Sequence, residues 1–297
     1  MSEFLIAILA GLGGMFGWGL ADFFAKKTID KIGDVASLAW GHVFGTIALV
    51  FMALYQFLFV PTKSVIPADF RTWFLLILFG VGQAFVYLFL YKGFGKGQVA
   101  VLSPVFASFS GIAAILSISV FGEVLSSQLI IGLITIFAGI LLINADVRAL
   151  QLKHFNFAHI PGFRDIIIAT ILAGFWTVFW GKFLGSKDWL MYTFIMYAFM
   201  TFTILVISKI QKVNLFIVKT SIWKFLIFIG LFETGAYLSI SLGYSFTPSI
   251  SIIALLSGAF SLPTIILAYI FLKERLTRIQ AIGSIVIILG IAIISLV

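Results

Sequence analysis

Asp22, His42, Gln83 and Glu233 each fall inside a long apolar stretch of the chain. A polar side chain there is costly and usually faces a cavity or a partner. Glu233 lies about nine residues into its stretch, and Tyr237 follows four residues later; Gln83 and Tyr87 repeat the pattern. Spacing of i,i+4 puts each pair on one helix face. A carboxylate at that depth can bind a substrate ammonium or carry a coupling proton. It can also be a hydrogen-bonded structural group. Asp22 follows Trp18 by four residues, and Trp176 and Trp180 share that spacing. Aromatic walls with one carboxylate suit a partly apolar ligand, although Asp22 is also close enough in sequence to pair with Lys26 or Lys27. His42 is a second candidate proton carrier, or a histidine packed against a neighbouring helix. Pro104 and Pro263 lie inside apolar stretches with Ser103, Ser108 and Ser110 around the first, and Ser257 and Ser261 before the second. Each proline removes a backbone hydrogen bond, so Pro104, Ser103, Ser257 and Pro263 are candidates for a hinge or pocket lining, or for a simple kink.

Other chemistries lack their residues. There is no cysteine, so disulfides and thiolate catalysis are excluded. Gly93-Phe-Gly-Lys96-Gly97 resembles a phosphate loop but lacks its first glycine, and Gly97 occupies the hydroxyl position. No H-E-x-x-H or G-x-S-x-G occurs, and His154 and His159 fall in a polar connection. No catalytic, cofactor or metal site is expected, and the chain has no room for a nucleotide-hydrolysing domain. The alternative to a transporter is an intramembrane enzyme or a lipid-flippase-like protein.

The surrounding chain decides where those residues sit. Of 297 residues, 62% are hydrophobic and 10% charged, with a mean hydropathy of +1.20. Soluble domains carry roughly 25% charged residues. So little charge cannot cover a water-exposed surface, and the excess apolar area must face lipid. The net charge of +8 is scattered over short gaps between apolar runs, which argues against a nucleic-acid stripe. The apolar run from Phe4 has no basic segment before it and no small-residue cleavage pattern after it, so a retained first helix is expected.

A helix needs about 20 apolar residues to span a bilayer. Runs of that kind lie at 4–25, 35–60, 71–92, 98–121, 126–144, 164–184, 189–208, 224–246, 249–272 and 279–297. With ten spans, 15 of the 19 basic residues fall on one side, in loops 26–34, 92–97, 145–165, 209–224 and 273–278. The positive-inside rule makes those loops cytoplasmic, in a multi-pass protein of the cell (plasma) membrane with both termini outside.

The chain also repeats itself. Gly122-Glu123-Val124-Leu125 is followed by Gly132 and Gly139 at the offsets that separate Glu274-Arg275-Leu276 from Gly283 and Gly290. Gly80, Gln83, Tyr87 and Gly93 match Gly230, Glu233, Tyr237 and Gly243, 150 residues on. The expected fold is therefore all-α integral membrane, with ten transmembrane helices as two inverted five-helix repeats. Residues 1–145 form the first, 146–163 connect, and 164–297 form the second. Five spans per half put the second half in the membrane upside down, a plan typical of secondary transporters with a site between the halves. The glycine pairs Gly13/Gly17, Gly41/Gly45, Gly132/Gly139 and Gly283/Gly290 read as close helix packing.

Gly17-Trp18-Gly19 followed by Lys26, Phe175-Trp176, Leu102-Ser103-Pro104 and the two Glu-x-Leu hairpins resemble the EamA family of the drug/metabolite transporter superfamily over essentially the whole chain. Leu102-Ser103-Pro104 has no clean partner in the second half, the nearest proline being Pro263. The resemblance implies export or exchange of a small metabolite, such as an amino acid or related compound, without ATP. The expected substrate-binding residues are Glu233, Gln83, Tyr87, Tyr237, Trp18, Asp22, Trp176 and Trp180, with Glu233 and His42 as proton-coupling candidates. Expected partners are the small-molecule substrate, the lipid bilayer and protons.

Overall fold

The computed structural model describes residues 2–60, 66–96, 99–145, 161–185, 187–216, 218–273 and 275–296. Among them are twelve α-helices: α1 (Glu3–Ile32), α2 (Asp34–Phe59), α3 (Phe70–Lys96), α4 (Val99–Ala107), α5 (Phe109–Ser119), α6 (Ser127–Asn144), α7 (Phe163–Leu184), α8 (Trp189–Ile210), α9 (Trp223–Phe246), α10 (Ile250–Gly258), α11 (Ser261–Leu272) and α12 (Arg278–Ser295). No strand occurs among the described residues.

Local chemistry sets several starts. Ser2, Ser126 and Asp188 accept hydrogen bonds from first-turn amides of α1, α6 and α8, and Thr277 forms a capping box with Gln280 at α12. Asp69 Oδ1 accepts from the Thr72 amide 2.8 Å away at the start of α3. The first helix runs to Ile32, past the expected end near residue 25. Lys and Asp are tolerated in a helix, and the chain turns only at Gly33, whose φ of 84° suits glycine alone.

Nine helical stretches among the described residues are long and apolar enough to cross a membrane. The fourth expected span, 98–121, is split at Ser108 into α4 and α5, and the ninth, 249–272, is split near Ala259 into α10 and α11. Pro263 explains the second break, because its ring displaces the carbonyl four residues earlier, at Ala259. Leu262 N–H takes that carbonyl instead at 2.9 Å. The first break falls four residues after Pro104, where no proline demands it. There Ser108 turns its hydroxyl back to the Val105 carbonyl at 2.6 Å, and Thr170 of α7 reaches the same oxygen at 3.2 Å. The two interruptions fall at equivalent places in the halves, and α5 packs against α10.

Contacts between the halves are reciprocal. α1 packs on α9 as α7 packs on α3, and α2 on α9 as α8 on α3; α6 and α12 pack on each other. That pattern is the one a twofold axis between two five-helix units produces. The glycines sit at the tightest crossings. A Cβ on Gly283 would lie 2.5 Å from the Ile143 amide nitrogen, so α6 and α12 touch backbone to backbone. Gly17, Gly41 and Gly45 likewise face α9. Phe51, Phe59, Phe70, Phe202 and Phe271 are exposed, as a lipid-facing surface requires. The connection 146–160 and Glu274 lie outside the described residues.

Candidate functional site

The two repeated faces meet at the centre, and they bond across the halves rather than along one helix. Gln83 Nε2 on α3 donates to Tyr237 Oη on α9 at 2.9 Å, and Tyr87 Oη on α3 donates to Glu233 Oε1 on α9 at 2.9 Å. Exchanging the halves turns one bond into the other. The two tyrosine oxygens lie 3.5 Å apart. Trp18 and Trp176, from α1 and α7, stand edge-on to the Tyr237 ring at 5.6 and 6.0 Å.

Two more helices close on Glu233. Tyr197 on α8 donates to its Oε2 at 3.3 Å, and His42 Nε2 on α2 lies 3.4 Å from its Oε1. The His42 ring stacks on Tyr197 at 5.2 Å and is wholly buried. His42 Nδ1 lies 2.9 Å from the Leu38 carbonyl, which can only accept, so Nδ1 carries a hydrogen and the tautomer is assigned from that contact. Nε2 then faces a carboxylate oxygen. Two bare acceptors would repel, so this contact is favourable when one of the pair holds a proton. Four residues on, Thr46 and Thr201 share a hydrogen bond of 2.8 Å between the same two helices.

A cavity of about 970 Å³ runs from this network toward the end of the bundle where α1 ends and α2 and α12 begin. Trp18, Asp22, Gln83, Tyr87, Trp176 and Ser103 line it. A second chamber, of about 50 Å³, adjoins it and holds Glu233 and Asp22 on its walls. Tyr237 and Trp180 are wholly buried behind the aromatic wall, and the Trp180 indole N–H donates to Ser241 at 3.2 Å. His42 stands behind Glu233. Ser257 is buried and donates to the Ala254 carbonyl, and Pro263 packs on Gly19; neither lines the cavity. Pro104 lies in α4 and its side chain falls outside what is described. Lys27 lies over the Phe23 ring at 4.6 Å, which is a cation–π contact, not a pair with Asp22.

Several site residues were not anticipated. Asn144 Oδ1 accepts from both Ser103 and Ser261 at 3.0 Å, joining the halves at the cavity wall. Tyr197 and Thr201 match His42 and Thr46 in a shared pattern, His-Val-Phe-Gly-Thr against Tyr-Ala-Phe-Met-Thr, 155 residues apart. That repeat was readable in the sequence, but its offset differs from the 150 that aligns the other helices.

Side chains join the two halves at the far end of the bundle. Gln56 Nε2 donates to Asp188 Oδ2 at 2.6 Å, and Glu123 accepts from the Ser251 amide at 3.0 Å and from its hydroxyl at 2.6 Å. Glu123 thereby caps the start of α10 from the loop before α6.

The profile of the EamA-like transporter family matches residues 5–145 and again residues 165–296, one match per half. The chain belongs to the EamA-like transporter family. It is a multi-pass membrane protein, and its membership carries the drug/metabolite transporter character that the motifs suggested. A solved crystal structure, described only as that of a protein, superposes with a TM-score of 0.77 at 16% identity. The superposition covers 98% of this chain and 96% of the other, which shows a shared fold. No curated protein matches the sequence. In this EamA-like transporter the duplicated unit therefore supplies both walls of one central cavity.

Proposed function

We propose that this EamA-like protein is a secondary transporter, an exporter or exchanger of a small metabolite such as an amino acid or related compound. It works by alternating access around the central cavity, and His42 with Glu233 carries the coupling proton. The observation that carries this reading is the cavity itself: large enough for a metabolite, open at one end, and adjoining a small chamber whose wall holds Glu233, the partner of buried His42. Two halves inverted in the membrane can rock about the axis that exchanges the Gln83–Tyr237 and Tyr87–Glu233 bonds. The contacts Gln56–Asp188 and Glu123–Ser251 then act as the closed gate. The wide end carries Lys26, Thr277 and Gln280, next to the basic loops, so the positive-inside rule makes this the state that loads from the cytoplasm. The resident membrane is the plasma membrane, and the protein is not an enzyme.

The test is counterflow into proteoliposomes loaded with a panel of amino acids, amines and nucleosides. At least one solute exchanges, and an imposed pH gradient drives its accumulation. Glu233→Gln retains exchange but loses the gradient-driven component. A panel on which nothing moves sinks the transport reading; an unchanged pH response in Glu233→Gln removes that residue from coupling.

A further inference from the structure

The small chamber beside the main cavity is chemically unlike it. Its walls include Trp18, Asp22, Ser37, Tyr87, Tyr91 and Glu233, and it shares Trp18, Asp22, Tyr87 and Tyr91 with the large cavity. Two carboxylates face it from opposite halves, and no lysine or arginine lies on its walls. Lys26 lines the large cavity with Asp22, and its charge acts on that carboxylate, while Lys92 and Lys96 reach Asp165 at 3.7 and 2.6 Å. Ser37 is 2% exposed, and its hydroxyl has no hydrogen-bond partner. A buried hydroxyl without a partner costs free energy unless a ligand or water satisfies it. The Gln83 carbonyl oxygen, at the edge of the adjoining cavity, is also buried without a partner. Asp22 is open to the cavity, and no hydrogen bond or ion pair within 4 Å joins it to another described residue.

We infer that this chamber is the pocket for a primary ammonium group, so that the substrate is a primary amine whose apolar body fills the aromatic cavity. The inference rests on the transport reading above and names its substrate class. An ammonium offers three N–H donors and one charge, and the chamber offers the Asp22 and Glu233 carboxylates and the Ser37 hydroxyl as acceptors. Trp18, Tyr87 and Tyr91 lie on the chamber walls, and an aromatic ring whose face meets a cation attracts it. The donors complete the selection. The chamber, about 50 Å³, is small beside the main cavity. A quaternary ammonium adds three methyl groups and loses every N–H donor, so it leaves the acceptors of the chamber unpaired. The larger cavity, with Val86, Phe106, Phe109 and Phe260 on its walls, takes the apolar body.

The test uses the purified full-length protein and three probes that share a phenylethyl body: 2-phenylethylamine, its N,N,N-trimethyl derivative and 2-phenylethanol. Binding is read by calorimetry and by the shift in melting temperature. The primary amine binds at least about tenfold more tightly than either analogue, the worth of one charge-assisted hydrogen bond. Asp22→Asn lowers its affinity by about the same factor, and so does Ser37→Val, which fills the chamber without altering charge. Equal or tighter binding of the trimethyl compound or the alcohol overturns the assignment, and needs no variant to fold. Amine affinity untouched by both substitutions overturns it as well. Counterflow of another solute without amine binding overturns the amine pocket and leaves transport standing. Amine binding without counterflow of any solute supports the pocket and sinks the transport reading.

Discussion

The two halves share one backbone plan and differ in chemistry at the positions nearest their common axis. Gln83 stands in the first half where Glu233 stands in the second, and His42 where the second half has Tyr197. Trp18 and Trp176 are alike, yet four residues later the first half has Asp22 and the second Trp180. The symmetric members do structural work: the tyrosines bond across the axis, and the tryptophans flank Tyr237. The asymmetric members hold the charge. Asp22 and Glu233 come from opposite halves and face the same small chamber, while the tryptophan opposite Asp22 is buried and closed off. Duplication thus supplied a frame, and divergence concentrated acid chemistry on one side of it.

That asymmetry is testable, beginning with stability. Glu233→Leu leaves His42 and the hydroxyls of Tyr87 and Tyr197 without their acceptor, and should cost about 3–5 kcal/mol. Gln83→Leu removes one donor from the Tyr237 hydroxyl, which keeps its contact with Tyr87, and should cost about 0.5–1.5 kcal/mol. Thermal unfolding of the two variants in detergent measures the difference, and equal losses would mean the halves are equivalent after all. Next comes the exchange of the two side chains in the double variant Gln83→Glu with Glu233→Gln. It keeps one carboxylate at the axis but moves it away from His42, so proton-driven accumulation should fall by about tenfold, roughly 1.4 kcal/mol. Full retention would show that His42 is not the partner. Smallest is the symmetric control at Thr46 and Thr201. Either threonine changed to valine removes the same hydrogen bond and should cost about 1 kcal/mol. The double variant should cost clearly less than the sum, as a shared bond requires; strict additivity would dissolve the pairing.

Much of the fold is legible in the amino-acid sequence, for identifiable reasons. Lipid forbids unpaired backbone, so apolar length reports the spans, and recurrent glycines and Glu-x-Leu turns report the halves. Gln83, Tyr87, Glu233 and Tyr237 stand out because polar groups in apolar stretches are costly. Each pair does lie on one helix, four residues apart, as the spacing implies. The bonding across the halves is not legible, because spacing along a helix says nothing of the helix opposite. The chain breaks show the same limit. A proline marks the break at Ala259, but the one at Ser108 depends on Thr170, which reaches the Val105 carbonyl from 65 residues away in sequence. Asn144 sits at the end of an ordinary apolar span, and nothing local marks it as the acceptor for serines from both halves.

By itself the sequence determined the membrane class, the two five-helix units and the family, since each follows from composition or from recurrence along the chain. It also determined that one half carries the deep carboxylate at the position where the other carries an amide. Only the tertiary structure decided that Asp22 and Glu233 share one chamber, that His42 and Tyr197 both close on Glu233, and that Gln56 meets Asp188 and Glu123 meets Ser251 across the halves. Those are relations between helices far apart in sequence. They are set by which faces pack at the tight glycine crossings, a property of the assembled bundle that no single span contains.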